Sequence, residues 1–60
     1  MTVGEKIRKF RIDQEYTQKE LATMSGLSES AIRNYELGNR FPSSEQLEKI
    51  ANSLKISPYA

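Results

Sequence analysis

Residues 18–37, QKELATMSGLSESAIRNYEL, decide the fold of this 60-residue chain. Leu21 and Ala22 share one face of a first helical period, and Ile32 and Tyr35, three residues apart, share one face of a second. A short Ser-Gly-Leu segment separates the two periods. Both apolar faces can be buried together only if the helices cross steeply, as two helices joined by a short glycine-containing turn do. The stretch therefore predicts a helix-turn-helix.

The size and backbone freedom of the residues around this turn suit a steep crossing of the two helices. Ala22 is small enough to let the second helix approach closely. Gly26 can adopt a positive φ, where a residue with a Cβ would be strained. Leu27 then enters the core, and Ser28 caps the next helix.

Further helix starts are marked by Ser or Thr followed three residues later by Glu or Gln, the spacing of a capping box. The three pairs are Thr2 with Glu5, Thr17 with Glu20, and Ser43 with Gln46. We predict four helices, at residues 3–14, 18–25, 29–36 and 44–54, and no strand. Ser57 and Pro58 read as the start of a fifth helix that stops at Ala60 before one turn is complete. The predicted fold is thus all-α, with a truncated fifth helix.

The predicted core is the set of apolar residues that share inward faces of these helices. The Tyr35 hydroxyl needs a partner if the ring is buried, so we expect it to reach the surface. The core list is Val3, Ile7, Phe10, Leu21, Ala22, Leu27, Ile32, Tyr35, Leu47, Ile50, Ala51 and Leu54.

Composition excludes several classes of protein. The chain has no Cys and no His, so it offers neither a disulfide framework nor a zinc site, and we expect no metal and no cofactor. Without those residues or an expected carboxylate pair in a cleft, an enzyme is not predicted. No apolar run approaches the roughly 20 residues that span a bilayer, and five charges in residues 1–12 exclude a signal peptide. The sequence predicts a soluble cytoplasmic protein with no membrane contact and no evident small-molecule ligand.

Net charge alone leaves the binding partner open. A value of +1 is weak for a nucleic-acid binder. The distribution is more informative, because four of the nine basic residues lie in residues 6–11 and three more, Lys19, Arg33 and Arg40, bracket the helix-turn-helix. A mixed surface charge is also what any soluble domain shows.

The whole pattern resembles the phage repressor and Cro type of helix-turn-helix domain, the XRE family. The resemblance implies a compact lambda-repressor-like domain of four to five helices, in which helices 2 and 3 form the helix-turn-helix. It also implies a homodimer that binds a palindromic double-stranded DNA operator and regulates transcription, usually as a repressor. The matching positions are residues 7–11, 17–22 and 25–28, then Ile32, Tyr35, Glu36, Gly38, Arg40, Pro42, Ser43, Leu47, Ile50, Ala51 and Leu54.

The outward face of the third helix carries Glu29, Ser30, Arg33 and Asn34, which lie at positions i, i+1, i+4 and i+5. On a major-groove reader, Asn pairs with adenine, Arg with guanine, and Glu accepts from cytosine, while Ser can bond to several bases. On a solvated helix face, the same residues are unremarkable, and Arg33 could pair with Glu29. Within a helix-turn-helix, we interpret the four residues as base contacts.

Phosphate contacts are expected around this helix. Gln18 combines a side-chain amide with the N–H groups and positive dipole of a helix N-terminus, and Lys19 lies beside it. In the loop after helix 3, Asn39 and Arg40, followed by Ser43, can contact the other side of the groove. Capping and turn formation are the alternative roles of these residues, and both roles are compatible.

Two charged residues are assigned a structural role by the resemblance. In the family, the positions that match Arg11 and Glu36 form a partly buried ion pair that holds the recognition helix on helix 1. The alternative is that both are solvated surface charges.

The chain departs from the family pattern where Met24 and Leu37 are apolar, and Phe41 is an exposed aromatic candidate. Such residues are either scattered surface apolars or, if contiguous, a partner surface. The rival function is a protein-binding adaptor or antitoxin that keeps this fold, which Glu29 on the outward face and the low net charge favour.

Overall fold

The computed structural model describes residues 2–56, which form four α-helices and no strand. The helices are α1 (Val3–Asp13), α2 (Gln18–Ser25), α3 (Glu29–Leu37) and α4 (Ser44–Leu54). The four predicted helices are confirmed, and their bounds differ by one residue at the ends of α1 and α3. The predicted start of a fifth helix at Ser57 and Pro58 lies outside the described residues.

Each helix begins at the predicted cap. Thr17 with Glu20 and Ser43 with Gln46 form complete capping boxes. At Thr2 the predicted helix start is confirmed, but the capping box is incomplete. The Thr2 hydroxyl accepts from the Glu5 N–H at 3.1 Å, but the Glu5 carboxylate bonds to that hydroxyl at 3.2 Å and not to the Thr2 backbone.

Glycines end α2 and α3 in the left-handed region. Gly26 has φ 72° and Gly38 has φ 82°, and open space surrounds the position that a Cβ would take at either residue. After the first of these turns, the Leu27 N–H donates to the Ala22 carbonyl at 2.9 Å, which closes the turn between α2 and α3. The chain therefore reverses sharply where the sequence places glycine, and α3 packs across both α1 and α2.

The core is built from the predicted faces, with one correction. Leu21, Ile32, Ile50 and Leu54 are fully buried, and Ile7, Ala22, Tyr35 and Ala51 are nearly so. Phe10 and Leu27 are half-buried against this cluster, and Leu47 is half-buried. Val3 was wrongly placed in the core: it is the first residue of α1 and is 37% exposed.

Two contacts that the sequence pattern did not predict hold α1 in place. Gly4 is buried under α3, where its backbone lies against the carbonyl of Tyr35. At the other end of α1, the Gln14 side-chain amide donates to the Leu54 carbonyl at 2.6 Å. The last turn of α4, whose carbonyls lack partners within the helix, is thereby joined to the end of α1.

Lys55 ends α4 with φ 58°, a backbone conformation that disfavours side chains with a Cβ. We expect Lys55→Gly to raise the free energy of unfolding by about 0.5–1 kcal/mol, after the entropy that glycine adds to the unfolded chain is counted. Denaturant unfolding measures the change. Lys49→Gly, in the interior of the same helix, is the control and should lower stability by about 1 kcal/mol. If Lys55→Gly also destabilised the protein, the left-handed ending of α4 would be wrong.

No helix among residues 2–56 is long and apolar enough to cross a membrane.

Candidate nucleic-acid interface

The outer face of α3 brings together the four predicted base-contacting residues. The buried Ile32 and Tyr35 hold the opposite side of the helix in the core. Ser28 fixes the start of the helix, since its hydroxyl accepts from the Ala31 N–H at 3.0 Å. The outer face consists of exposed Glu29, Ser30 and Arg33 and half-buried Asn34.

Arg33 does not form the alternative ion pair with Glu29. In the part of the chain that the structure describes, no salt bridge joins these two side chains. Both are exposed on the same helix face. The guanidinium of Arg33 is thus available to a ligand of this face.

The Asn34 amide already has internal partners. Its Nδ2 donates to the Ser30 carbonyl at 2.9 Å, and its Oδ1 accepts from the Asn39 side chain at 3.4 Å. An amide has two donor hydrogens and two acceptor lone pairs, so one of each remains. The remaining pair is what a bidentate contact to adenine uses, which keeps Asn34 chemically able to read a base.

Arg11 and Glu36 form a two-pronged ion pair between α1 and α3. Arg11 Nε lies 2.7 Å from Glu36 Oε2 and Arg11 Nη2 lies 3.0 Å from Glu36 Oε1, while Arg11 Nη1 donates to the Tyr16 carbonyl at 2.8 Å. The two side chains are 12% and 4% exposed. The hydrogen bond to Glu36 raises the pKa of the Arg11 guanidinium above its ordinary value and outweighs the opposing effect of burial. This pair anchors the end of α3 to the scaffold.

Gln18 is joined to the same ion pair. Its side-chain Nε2 donates to Glu36 Oε1 at 3.2 Å, so the amide is held beside the N-terminus of α2. Thr17 caps the Glu20 N–H, which leaves the N–H groups of Gln18 and Lys19 without a partner among the described residues. These N–H groups lie at the positive end of the helix dipole, beside the exposed Lys19 side chain.

The loop after α3, residues 38–43, folds back onto the helix. The Asn34 carbonyl accepts from the N–H groups of Asn39 at 3.0 Å and Arg40 at 3.4 Å. Asn39 and Arg40 are exposed. Ser43 is the cap of α4, where its hydroxyl accepts from the Gln46 N–H at 3.2 Å and keeps its own proton, the donor that a phosphate would need.

One finding near this surface differs from the sequence interpretation. The Tyr35 hydroxyl does not point to solvent, because it donates to Gln46 Oε1 at 2.8 Å. No local pattern signals this bond, since the two residues lie on different helices. The exposure expected of Phe41 is confirmed at 79%, and the apolar Met24 and Leu37 are 42% and 66% exposed. No contact among the described residues shows what covers these three side chains.

No group of three or more carboxylates within residues 2–56 lies close enough to hold a metal ion.

Comparison with known proteins places this geometry in a family. The helix-turn-helix model HTH_3 matches residues 7–60. The uncharacterized HTH-type transcriptional regulator YazB of Bacillus subtilis (strain 168) is 41% identical over 54 residues, which are 90% of this chain and 78% of YazB. Multiprotein-bridging factor 1 of Candida albicans is 34% identical over 56 residues, 93% of this chain but only 37% of that protein.

Among solved structures, the P22 c2 repressor in complex with a synthetic operator superposes with a TM-score of 0.91. The two are 33% identical in sequence, and the alignment covers 97% of this chain and 88% of the repressor. At this identity and coverage, the likeness extends to the sequence as well as to the fold.

Proposed function

The chain belongs to the HTH_3 helix-turn-helix family, and we propose that it binds a specific double-stranded DNA operator through α3 and regulates transcription, as a repressor. The observation that carries the proposal is the outer face of α3. It presents hydrogen-bonding side chains on a helix held from behind by the core and by the Arg11–Glu36 pair. The likeness to a repressor bound to its operator supports the same reading.

In this proposal, Glu29, Ser30, Arg33 and Asn34 contact base edges in the major groove. The contacts to phosphate come from two flanks of α3. On one side they are the N-terminus of α2 with Gln18 and Lys19, and on the other they are Asn39, Arg40 and the Ser43 hydroxyl. Phosphate contacts position the protein, and base contacts select the sequence.

The proposed binding form is a homodimer on a palindromic site. Helix-turn-helix dimers bind half-sites about 34–36 Å apart, which is one turn of DNA. The proposal involves no enzyme activity, since members of the family are DNA-binding regulators. We also propose a cytoplasmic location.

Selection of bound sequences from random duplex DNA tests the proposal directly. We expect one recurrent sequence with two-fold symmetry and an affinity that falls as salt rises, because phosphate binding releases counterions. Recovery of no preferred sequence, together with salt-insensitive binding, would contradict it.

Ser30→Ala is expected to cost about 1–3 kcal/mol of binding free energy on the selected operator and little on random DNA. Asn34→Ala should behave in the same way at a different base pair. The reason is that each variant removes a base contact. Ser30→Ala leaves the residues proposed to contact phosphate unchanged, whereas Asn34→Ala also removes the long 3.4 Å hydrogen bond that Asn34 Oδ1 accepts from the Asn39 side chain. Binding titrations on both kinds of DNA measure the difference, with Ser53→Ala on α4 as the matched control.

Arg40→Ala should instead weaken binding to all sequences alike and reduce the slope of log affinity against log salt by about one. Gln18→Ala should also weaken all sequences alike. If Asn34→Ala and Ser30→Ala changed neither affinity nor sequence preference, α3 would not be the reading helix.

A protein-binding adaptor is the second candidate function. The similarity to multiprotein-bridging factor 1 and the exposed Leu37 and Phe41 favour it. The net charge of only +1 is also compatible with a protein partner. The salt-dependent selection experiment separates the two, since an adaptor of this kind would recover no preferred operator.

A further inference from the structure

Gln46 has one more partner than a capping box requires. Its backbone N–H donates to the Ser43 hydroxyl at 3.2 Å, and its Oε1 accepts from the Ser43 N–H at 3.1 Å. These two bonds complete the cap of α4. The same Oε1 also accepts from the Tyr35 hydroxyl at 2.8 Å, which is the shortest of the three bonds.

The third bond joins α4 to the reading helix. Tyr35 belongs to α3, is 5% exposed and packs in the core, and this packing restricts movement of its ring relative to α3. Gln46 is half-buried in the first turn of α4. One amide oxygen therefore connects the core side of α3 to the cap of α4.

This connection spans the loop that contains Arg40. At the start of the loop, the Asn34 carbonyl holds the N–H groups of Asn39 and Arg40. At its end, Ser43 is held by Gln46, which is held in turn by Tyr35. Both ends of the loop are thus fixed to the same helix, α3.

We infer that Gln46 and the Tyr35 hydroxyl are positioning residues for DNA binding, which hold the Arg40 loop at a set distance from the base-contacting face of α3. The inference rests on the proposed function. Neither group touches DNA. They act through Arg40. Its phosphate contact can form together with the base contacts of α3 only if the loop and α3 are held at the correct distance from each other.

A purely structural role must be distinguished from this one. Loss of a half-buried hydrogen bond lowers the stability of the fold under either interpretation. The coupling to Arg40 differs between them, because a merely less stable protein still makes the Arg40 contact once it is folded and bound.

The experiment is a salt titration of DNA binding by the full chain on its selected operator, with far-UV circular dichroism to verify that each variant is folded. Arg40→Ala is introduced into the wild type and into Tyr35→Phe, Gln46→Met and Gln46→Glu. Tyr35→Phe removes only the hydrogen bond between the Tyr35 hydroxyl and Gln46 Oε1. Gln46→Met removes that bond and also the bond from the Ser43 N–H to Gln46 Oε1. The Glu variant keeps an oxygen acceptor for both donors.

Tyr35→Phe and Gln46→Met are each expected to weaken operator binding about tenfold near 0.1 M salt and to reduce the salt slope by about one. In these two backgrounds, Arg40→Ala should cause little further change, because the contact is already lost. In the wild type and in Gln46→Glu, it should still reduce the slope by about one. Comparing slopes within each background cancels the charge that Glu adds.

Ile50→Val is the control for stability alone, since it removes one methylene group from the buried face of α4 and leaves the Tyr35–Gln46 hydrogen bond in place. It should leave the slope and the effect of Arg40→Ala unchanged. A full Arg40→Ala effect in Tyr35→Phe and Gln46→Met would overturn the inference and leave the proposed function intact. Absence of salt-dependent, sequence-selective binding by the wild type would overturn the proposed function, and the inference with it.

Discussion

Replacement of Arg11 by alanine is expected to lower the free energy of unfolding by about 3–5 kcal/mol. The physical reason is that the buried Glu36 carboxylate would lose its charged partner. Glu36 is 4% exposed and would keep only the Gln18 amide as a hydrogen-bond donor among the described residues. The Tyr16 carbonyl would also lose the donor that Arg11 provides.

Such a loss is large for a domain of this size, because stability averages about 0.05–0.15 kcal/mol per residue. For 60 residues this range amounts to about 3–9 kcal/mol, so Arg11→Ala should lose about half of the stability or more, and a stabilising osmolyte should be present when its midpoint is measured. Arg11→Lys keeps the charge but not the planar fork that bonds both carboxylate oxygens, so an intermediate loss is expected.

Lys9→Ala is the control, since Lys9 lies on the exposed side of the same helix. It should change stability by less than about 0.5 kcal/mol. Equal unfolding midpoints for Arg11→Ala and Lys9→Ala would mean that the ion pair does not hold α3 on α1.

The helices and their turns could be predicted because their causes are local. A cap lies within three residues of the groups that it satisfies, and Gly26 and Gly38 mark left-handed endings by their lack of a Cβ. The core followed from periodicity alone. The prediction that Val3 is buried was wrong, because helical spacing places it on the inward face but the first turn of a helix has no preceding turn to cover the side chain.

The bonds between helices could not be predicted in the same way. The partner of the Tyr35 hydroxyl is 11 residues away, and that of the Gln14 amide is 40 residues away. Sequence spacing gives no sign of such partners. The Arg11–Glu36 pair, 25 residues apart, was reached only through a family resemblance.

In the candidate site, too, features set by local spacing could be predicted from the sequence and bonds between distant residues could not. The outward direction of Glu29, Ser30 and Arg33 follows from helical spacing, and the structure leaves these residues exposed. The internal bonds of Asn34, Gln18 and Ser43 depend on the loop geometry and on the packing of α3. Whether each of these three contacts DNA remains a prediction for the binding experiments.

Gly4 is the residue whose role was missed most completely. A lone glycine near the start of a helix reads as a weak point, since glycine in a helix costs about 0.5–1 kcal/mol relative to alanine. Here it is buried, and a Cβ at this position would lie 2.1 Å from the Tyr35 carbonyl oxygen and 3.1 Å from that of Glu36. Both atoms belong to the backbone of α3 and cannot rotate away.

We therefore expect Gly4→Ala to destabilise the protein by about 1–3 kcal/mol, the opposite of what helix propensity predicts. The helices must separate to admit the methyl group, so the backbone amide signals of Tyr35 and Glu36 should also shift in NMR spectra. Gly26→Ala provides the comparison, because it has backbone strain but open space, and it should leave those α3 signals in place. If Gly4→Ala raised stability by about 1 kcal/mol, as alanine does in an open helix, then α1 would not contact the carbonyls of α3. A destabilised variant with displaced α3 signals would instead establish that close backbone contact with α1 at Gly4 sets the position of α3.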